Sequence, residues 1–309
     1  MPADSATKNL VGTFKMIRWF TALLVLITAS VQAQETSTGL MPLKITKIPD
    51  VTYAQVDRHD LKLDIYLPTS VETAPLLVYI HGGAWRRGSK EEIPTEAFIQ
   101  AGYALASVEF RMSGVAMFPA QIHDIKAAIR YLRGNASKYG FDASRIGIYG
   151  TSSGGHLVSV VAVSNGDAVM EGSLGDYLDQ SSDVQAVVSY YGASNLTSIL
   201  KQSTPHGLRV REPALDLLIG GQPEDQPDLA RLASPVFHVD ANSAPLLMLH
   251  GDQDPQMPIN QSHELQHAYQ QQGVEVKFEV VHGAAHGSPH FVTDKNNTLV
   301  KEFFDRHLR

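Results

Sequence analysis

The sequence Gly150-Thr151-Ser152-Ser153-Gly154-Gly155 has the pattern G-x-S-x-G. The apolar run at residues 145–149 precedes it and predicts a strand, and residues 156–162 follow it and predict a helix. A sharp turn between a strand and a helix is the context in which such a serine projects its hydroxyl out of the fold as a nucleophile. The pattern also occurs in ordinary Gly/Ser-rich loops, so the rest of the chain has to decide between the two interpretations.

The composition argues against several classes of protein. The chain has 309 residues, a net charge of −7 and no cysteine. No Lys/Arg-rich run offers a surface for nucleic acid. Without cysteine, disulfides, thiolate metal sites and a cysteine nucleophile are excluded. No metal-ligand spacing such as H-E-x-x-H occurs either, so we expect neither a metal nor a cofactor.

Residues 1–33 predict an export signal. Lys15 and Arg18 precede the apolar run Trp19 to Ala29, which is shorter than the roughly 20 residues of a membrane span. A membrane anchor or an ordinary buried helix is the alternative. We favour export to the periplasm or the medium of a bacterium, with no stable membrane insertion afterwards.

The expected cleavage site follows Val31-Gln32-Ala33, so that Gln34 becomes the first residue. Residues 1–15 are interpreted as an upstream extension, because Met16 gives a more typical signal start.

Residues 34–50 predict a flexible N-terminal segment. Residues 51–56 and 61–66 alternate apolar and polar side chains and predict an antiparallel hairpin with one solvated face.

From residue 75 onwards, predicted strands alternate with predicted helices. The strands are expected at residues 75–80, 103–110, 145–149, 184–191, 245–250 and 275–281. The helices are expected at residues 91–101, 121–136, 156–162, 260–272 and 294–308. This alternation predicts an α/β fold with a mainly parallel central sheet and helices on both faces. Functional sites in such sheets lie at the carboxyl ends of the strands.

Two polar stretches interrupt the alternation. Residues 163–183 carry no strong period, and residues 193–232 are rich in Pro, Gln and Gly, with helical segments at 196–200 and 215–219. Long connections between core strands usually cover a site. We therefore predict that both stretches build the pocket and that residues 193–232 form a small lid.

The segment His81-Gly82-Gly83-Ala84-Trp85 directly follows a predicted central strand. Its small residues leave room for backbone N–H groups to point into a site, as an oxyanion hole requires. A plain glycine turn with a packed tryptophan is the alternative. The G-x-S-x-G stretch at residues 150–154 favours the oxyanion hole over the plain turn.

Four motifs carry a resemblance to a known superfamily. In chain order they are His81-Gly82-Gly83-Ala84-Trp85, Gly150-Thr151-Ser152-Ser153-Gly154-Gly155-His156, His250-Gly251-Asp252-Gln253-Asp254 and His286-Gly287. Over residues 51–308 the chain resembles the α/β-hydrolase superfamily, namely secreted bacterial esterases of the feruloyl-esterase-like and hormone-sensitive-lipase-like branches. The resemblance implies one α/β-hydrolase domain at residues 51–309.

Ser152 is the predicted nucleophile, and it needs a base within hydrogen-bond reach. His286 and His282 are the candidates. We favour His286, because four residues carry it beyond the strand end on a loop of small side chains, whereas His282 lies at the strand end itself. The N–H of Ser153, the residue after the nucleophile, is an expected oxyanion donor.

The acid of the predicted triad is Asp254 or Asp252. Asp254-Pro255-Gln256-Met257-Pro258 resembles the D-x-x-hydrophobic-Pro pattern of the superfamily, which favours Asp254, while Asp252 is equally suited to forming a turn. The resemblance also implies that Gly83 and Ala84 supply oxyanion N–H groups. Ala84 stands where many hormone-sensitive-lipase relatives have glycine, which points to the feruloyl-esterase-like and formamidase-like branches.

Other polar residues are assigned structural roles. We predict that Arg111, which follows the strand at 103–110, forms a buried ion pair with Asp124 in the next helix and so braces the loop between them. Local hydrogen bonding is the expected role of four further histidines: His81, His156, His250 and His290.

The wall of the substrate pocket is predicted from apolar side chains. Five apolar residues are candidates for its wall, although core packing explains each equally well: Trp85, Phe118, Tyr190, Tyr191 and Leu196.

The resemblance implies a serine-dependent carboxylic ester hydrolase that acts through an acyl-enzyme. Its expected partner is a small-molecule or oligosaccharide substrate, namely a short-acyl, aryl or plant-polysaccharide (acetyl or feruloyl) ester. Alternative activities are those of an arylformamidase or an exopeptidase-type amide hydrolase, and a binding protein on a hydrolase scaffold is the non-enzymatic alternative. The sequence makes no prediction of oligomeric state.

Overall fold

A twisted sheet of eight strands organises the residues that the structure describes, in the order β1-β2-β4-β3-β5-β6-β7-β8. The structure is a computed structural model and describes residues 44–69, 73–93 and 96–309. The predicted export signal and residues 34–43 lie outside these ranges. Within them, no helix has the length and apolar character needed to cross a membrane.

The strands are β1 (Ile45–Val56), β2 (His59–Pro68), β3 (Ala74–Ile80), β4 (Ala104–Val108), β5 (Phe141–Thr151), β6 (Ala186–Tyr190), β7 (Leu246–Gly251) and β8 (Val276–Val281). The first two are antiparallel to each other, and β2 is antiparallel to β4. All other neighbouring pairs are parallel. Every residue of β3, β4, β6 and β7 is buried, because helices cover both faces of the sheet. The predicted fold class is confirmed.

The N-terminal hairpin is longer than its sequence pattern suggested. Residues 45–50, assigned to a flexible segment, belong to β1, so that prediction was wrong for them. Ile45 pairs with Pro68, and the N–H of Asp50 donates to Asp64 Oδ1 over 2.9 Å. An irregularity in the register after Ile48 interrupts the alternation of apolar residues, which hid this half of the strand.

The helices are α1 (Ala97–Gln100), α2 (Ala120–Gly134), α3 (Ala136–Tyr139), α4 (Ser153–Ala162), α5 (Ala168–Glu171), α6 (Ile199–Gln202), α7 (Pro205–Ile219), α8 (Pro227–Leu232), α9 (Asn260–Gln272) and α10 (Asp294–Leu308). Short 3-10 turns lie at Pro235–Phe237 and Pro289–Val292. The predicted helices around α2, α4, α9 and α10 are confirmed.

Two helix predictions were wrong in extent. Among the described residues of the helix expected at 91–101, only α1 is helical. Just before that range, the ammonium of Lys90 lies 2.8 Å from Asp64. The insertion contains the 15-residue helix α7, in place of a short segment at 215–219. Thr204 caps α7 by accepting the N–H of Gly207, Pro205 suits its first turn, and Pro213 is accommodated inside it.

The predicted ion pair between Arg111 and Asp124 is confirmed. Arg111 Nη2 lies 2.6 Å from Asp124 Oδ1, and the backbone N–H of Arg111 donates to Oδ2 over 2.8 Å. The carboxylate of α2 therefore fixes the loop that follows β4.

Candidate active site

Ser152 lies at a strained turn between β5 and α4. Its backbone has φ 54° and ψ −117°, a conformation that a non-glycine residue adopts only when its surroundings impose it. The N–H of Ser152 donates to the carbonyl of Tyr190 over 2.9 Å, and its own carbonyl accepts from the N–H of His156. These bonds hold the side chain at the carboxyl end of the sheet.

The glycines of the turn are required by close packing. A Cβ on Gly154 would lie 2.1 Å from the carbonyl oxygen of Ile80, and a Cβ on Gly150 would lie 2.6 Å from the backbone of Gly154. Because neither glycine carries a side chain, α4 can begin directly against the end of β3.

Two loops bring a histidine and an aspartate to Ser152. His286 follows β8, and its Nε2 lies 2.8 Å from Ser152 Oγ. Its Nδ1 donates to Asp254 Oδ2 over 2.6 Å. The side chain of His286 is 14% exposed, and that of Asp254 is 1% exposed. In this geometry the imidazole can take the serine proton while the carboxylate fixes its tautomer.

Asp254 is buried but fully hydrogen-bonded. Its Oδ1 accepts the N–H groups of Gln256 and Met257, each over 2.8 Å. Burial by itself would raise the pKa of this carboxyl. The contacts from His250 and His286 and the backbone bond from Met257 outweigh burial and hold the pKa of Asp254 well below its usual value.

The alternative candidates form a separate pair. His282 Nδ1 donates to Asp252 Oδ2 over 2.8 Å, and the His282 side chain is 85% exposed. Asp252 also accepts the N–H of Gly283. The structure thus brings His286 and Asp254, and not His282 and Asp252, to the serine.

The loop after β3 lies against the serine turn. A Cβ on Gly82 would come within 3.3 Å of Ser152 Cβ, and one on Gly83, whose φ is +115°, would lie 2.0 Å from the carbonyl oxygen of Arg87. Ala84 has φ 55°, also in the left-handed region. Among the residues that the structure describes, no carbonyl accepts the N–H of Gly83 or Ala84. Ser153 begins α4, where an N–H has no partner within the helix.

The four histidines expected to serve as local partners make such bonds. His81 Nδ1 donates to the carbonyl of Gly82, His156 accepts from Trp85, His250 contacts Ser262 and Met257, and His290 contacts Ser288.

An apolar cavity of about 290 Å³ adjoins the serine turn and the histidine loop. Its wall consists of Phe98, Tyr149, Thr151, Tyr190, Tyr191, Gly287, Ser288, Pro289, Phe291 and Val292. The ring of Tyr191 lies 4.7 Å from that of His286. A second, polar cavity of about 480 Å³ lies beside the loop after β3 and is lined by Tyr79, Gly82, Gly83, Arg87, Gly88, Glu92 and Thr151.

Several pocket predictions need correction. Trp85, Leu196 and Phe118 are buried in the hydrophobic core and line neither cavity, whereas Tyr190 and Tyr191 line the apolar one. No residue of the two predicted pocket stretches, 163–183 and 193–232, lines either cavity. The first stretch is held to α2 by the buried Lys126, whose Nζ donates to the carbonyl of Ser164.

Comparison with known proteins identifies the family. The BD-FAE family profile matches residues 63–269, a range that includes Ser152 and Asp254 and ends before His286. The chain belongs to the BD-FAE family of α/β-hydrolases. Several curated proteins that are similar to the chain are named as carboxylic ester hydrolases or esterases.

A curated relative of this BD-FAE chain is the probable carboxylic ester hydrolase LipM of Mycobacterium tuberculosis. It is 31% identical over 220 residues, which are 69% of this chain and 49% of LipM. Esterase LipQ of the same organism is 32% identical over 222 residues, which are 69% of this chain and 50% of LipQ. The chain thus spans about half the length of the curated relatives it matches.

A solved structure matches over almost its whole length. A truncated form of a carbohydrate esterase from gut microbiota is 35% identical, with a TM-score of 0.77. The match covers 86% of this chain and 97% of that structure.

In this BD-FAE member, sequence reasoning missed a residue that supports the aspartate loop. Arg211 on α7 is buried, and its Nη2 donates to the carbonyl of Gln256, two residues after Asp254, over 2.6 Å. Burial lowers the pKa of Arg211 to about 10, although the charge of Asp254 opposes this. Thr204 also donates to the carbonyl of Pro255. The predicted lid therefore packs on the aspartate loop, and no local sequence signal marks Arg211 for this contact.

Proposed function

We propose that this protein is a serine-dependent carboxylic ester hydrolase with Ser152, His286 and Asp254 as its catalytic residues. The observation that carries the proposal is the position of His286, hydrogen-bonded at once to Ser152 Oγ over 2.8 Å and to Asp254 Oδ2 over 2.6 Å. The strained turn at Ser152 and the esterase relatives support the same assignment.

In the proposed reaction, Ser152 Oγ attacks the ester carbonyl carbon while its proton moves to His286 Nε2. Asp254 stabilises the imidazolium that results. The carbonyl oxygen becomes an oxyanion, which accepts hydrogen bonds from the N–H groups of Gly83, Ala84 and Ser153. Each such donor typically supplies about 3 kcal/mol of transition-state stabilisation.

The second half of the reaction releases both products. His286 returns the proton to the alcohol oxygen as the bond from the acyl carbon to that oxygen breaks, leaving an ester on Ser152. Water then loses a proton to His286 and attacks the acyl carbon, which frees the acid and regenerates the serine hydroxyl.

For the substrate, we propose an ester that joins a short-acyl or aromatic acid to a carbohydrate. The two cavities support this, because both border Thr151, next to Ser152, and one is apolar and aromatic while the other is polar. The 35% identical neighbour named as a carbohydrate esterase points in the same direction.

We further propose that residues 1–33 direct export and are removed before Gln34, as expected from their charge and apolar run. Expression of the full chain in a bacterium, followed by fractionation and mass spectrometry, tests this. A protein that stays in the cytoplasm with its first residues intact would contradict export.

A hydrolysis panel tests the activity. It contains p-nitrophenyl esters from acetyl to long acyl, methyl ferulate, acetylated xylan and an aryl formamide, each with the wild type and with Ser152→Ala. We expect ester hydrolysis that the substitution abolishes. Ester hydrolysis that survives in Ser152→Ala would contradict the assignment of the nucleophile. Hydrolysis of the formamide alone would favour an amide hydrolase. Absence of hydrolysis of every substrate would favour a binding protein.

A further inference from the structure

A second histidine, His250, lies behind the aspartate loop, residues 252–258. It is the fifth residue of β7, and its ring is completely buried. Its Nε2 lies 3.0 Å from the carbonyl oxygen of Met257 and 3.5 Å from Asp254 Oδ2. Its Nδ1 lies 2.8 Å from Ser262 Oγ on α9.

The proton of this imidazole can be placed from its partners. Both oxygens near Nε2 are acceptors, because one is a carbonyl and the other belongs to a carboxylate that three N–H groups keep ionised. Nε2 must therefore carry the proton. In the neutral imidazole Nδ1 then accepts, and the hydroxyl of Ser262 is the donor that keeps His250 in this tautomer.

Met257 connects His250 to the carboxylate of Asp254. The carbonyl of Met257 accepts from His250 Nε2, and the N–H of Met257 donates to Asp254 Oδ1 over 2.8 Å. The other oxygen, Oδ2, faces both His286 and His250. The orientation of the carboxylate toward His286 thus depends on a residue with no contact to Ser152.

We infer that His250, held in one tautomer by Ser262, is a positioning residue that aims the carboxylate of Asp254 at His286. The inference rests on the proposed function, because it concerns the orientation of the proposed triad. The loss of a carboxylate–imidazole alignment of this kind slows chemistry without weakening substrate binding.

The test compares four variants of the full protein on one p-nitrophenyl ester. His250→Met removes the donor at similar volume, and His250→Gln restores an N–H donor at the end of the side chain. Ser262→Ala removes the group that fixes the tautomer. His263→Met, on the same helix with its ring against Phe278, is the control.

We expect His250→Met to lower kcat by about 10–100-fold with KM within about twofold of wild type. His250→Gln should recover most of the loss, and Ser262→Ala should lower kcat by a smaller factor. The second-order rate of phosphonylation of Ser152 by a p-nitrophenyl phosphonate should fall in parallel with kcat. The control should match wild type in both measurements.

Either of two results with the His250 variants would overturn the inference. One is a folded His250→Met with kcat within twofold of wild type. The other is a folded His250→Gln as slow as His250→Met, since packing and not the donor would then matter. If His250→Met does not fold, an unchanged kcat in Ser262→Ala overturns it instead.

Failure of the proposed function gives a different pattern. A wild type without Ser152-dependent ester hydrolysis would overturn both the proposed function and this inference. An active, Ser152-dependent wild type with unaffected His250 and Ser262 variants would overturn the inference alone.

Discussion

Trp85 Nε1 donates a hydrogen bond to His156 Nδ1 over 3.0 Å, with the two rings edge to face at a centroid separation of 5.2 Å. Trp85 follows the proposed oxyanion residues, and His156 lies in the first turn of α4, four residues after Ser152. Both rings are buried. The contact therefore fixes the distance between the proposed oxyanion donors and the proposed nucleophile.

Trp85→Phe should destabilise the protein and slow the proposed reaction. The substitution leaves His156 Nδ1 as a buried acceptor without its donor, which costs about 1–3 kcal/mol. Urea unfolding and ester kinetics measure the two effects. As the control, the same substitution in a His156→Leu background should cost less. Equal costs in both backgrounds would show that the hydrogen bond contributes nothing.

The stability of the protein should fall between pH 6.5 and pH 4 partly because of His156. Burial lowers the pKa of His156 to about 4, whereas the unfolded chain titrates near 6.5. Below pH 6.5 the unfolded state therefore binds the proton first, and the folded state loses up to about 3 kcal/mol of stability as the pH falls to 4.

Urea unfolding at pH 7 and pH 5 checks this expectation. His156→Gln should show a smaller difference between the two pH values than wild type. Burial also lowers the pKa of His81, which contributes in the same direction, so the comparison with wild type isolates His156. An equal pH dependence in the two proteins would refute the assignment.

Gly154→Ala should be strongly destabilising and should displace Ser152. The new Cβ would lie 2.1 Å from the carbonyl oxygen of Ile80, so α4 must move away from β3. We expect a loss of about 3 kcal/mol, typical of an overpacked core position. Gly114→Ala, where a Cβ meets nothing within 4 Å, is the matched control and should be neutral. Thermal unfolding and kcat report the outcome, and a stable, fully active Gly154→Ala would contradict it.

Arg211→Met should lower kcat by about tenfold, because the aspartate loop loses the donor to Gln256. Its effect on stability should be smaller than about 2 kcal/mol, since removing a poorly solvated buried charge offsets the lost hydrogen bond. Ester kinetics and urea unfolding test both statements. Arg209→Met, on an exposed position of α7, is the control. An unchanged kcat in Arg211→Met would show that the helix does not influence the loop.

Val292→Trp should narrow the apolar cavity from its partly exposed rim. If the cavity accepts part of the ester, kcat/KM for long-acyl and aryl esters should fall by about tenfold or more, while the acetyl ester changes little. A series of p-nitrophenyl esters measures this ratio, with Val169→Trp at an exposed position of α5 as the control. An unaltered ratio would place the substrate elsewhere.

The fold class and the candidate residues Ser152 and His286 could be predicted from local features of the chain, whereas Asp254 was favoured over Asp252 by its resemblance to a superfamily pattern. Buried parallel strands are continuous apolar runs, and a strained turn needs glycines next to it, so both leave local signals in the chain. The choice of His286 over His282 also followed from sequence, because loop length limits which side chain can extend beyond the strand end.

The surroundings of these residues could be read only from the folded structure. Trp85 and Leu196 have apolar side chains of the kind that line pockets, yet they pack in the core. Phe98 and Phe291, which are far apart in the sequence, both line the apolar cavity. Arg211 and His250 reach the aspartate loop from α7 and β7. Such contacts join residues far apart in the chain, and their energies depend on distances and burial that only the packed fold sets.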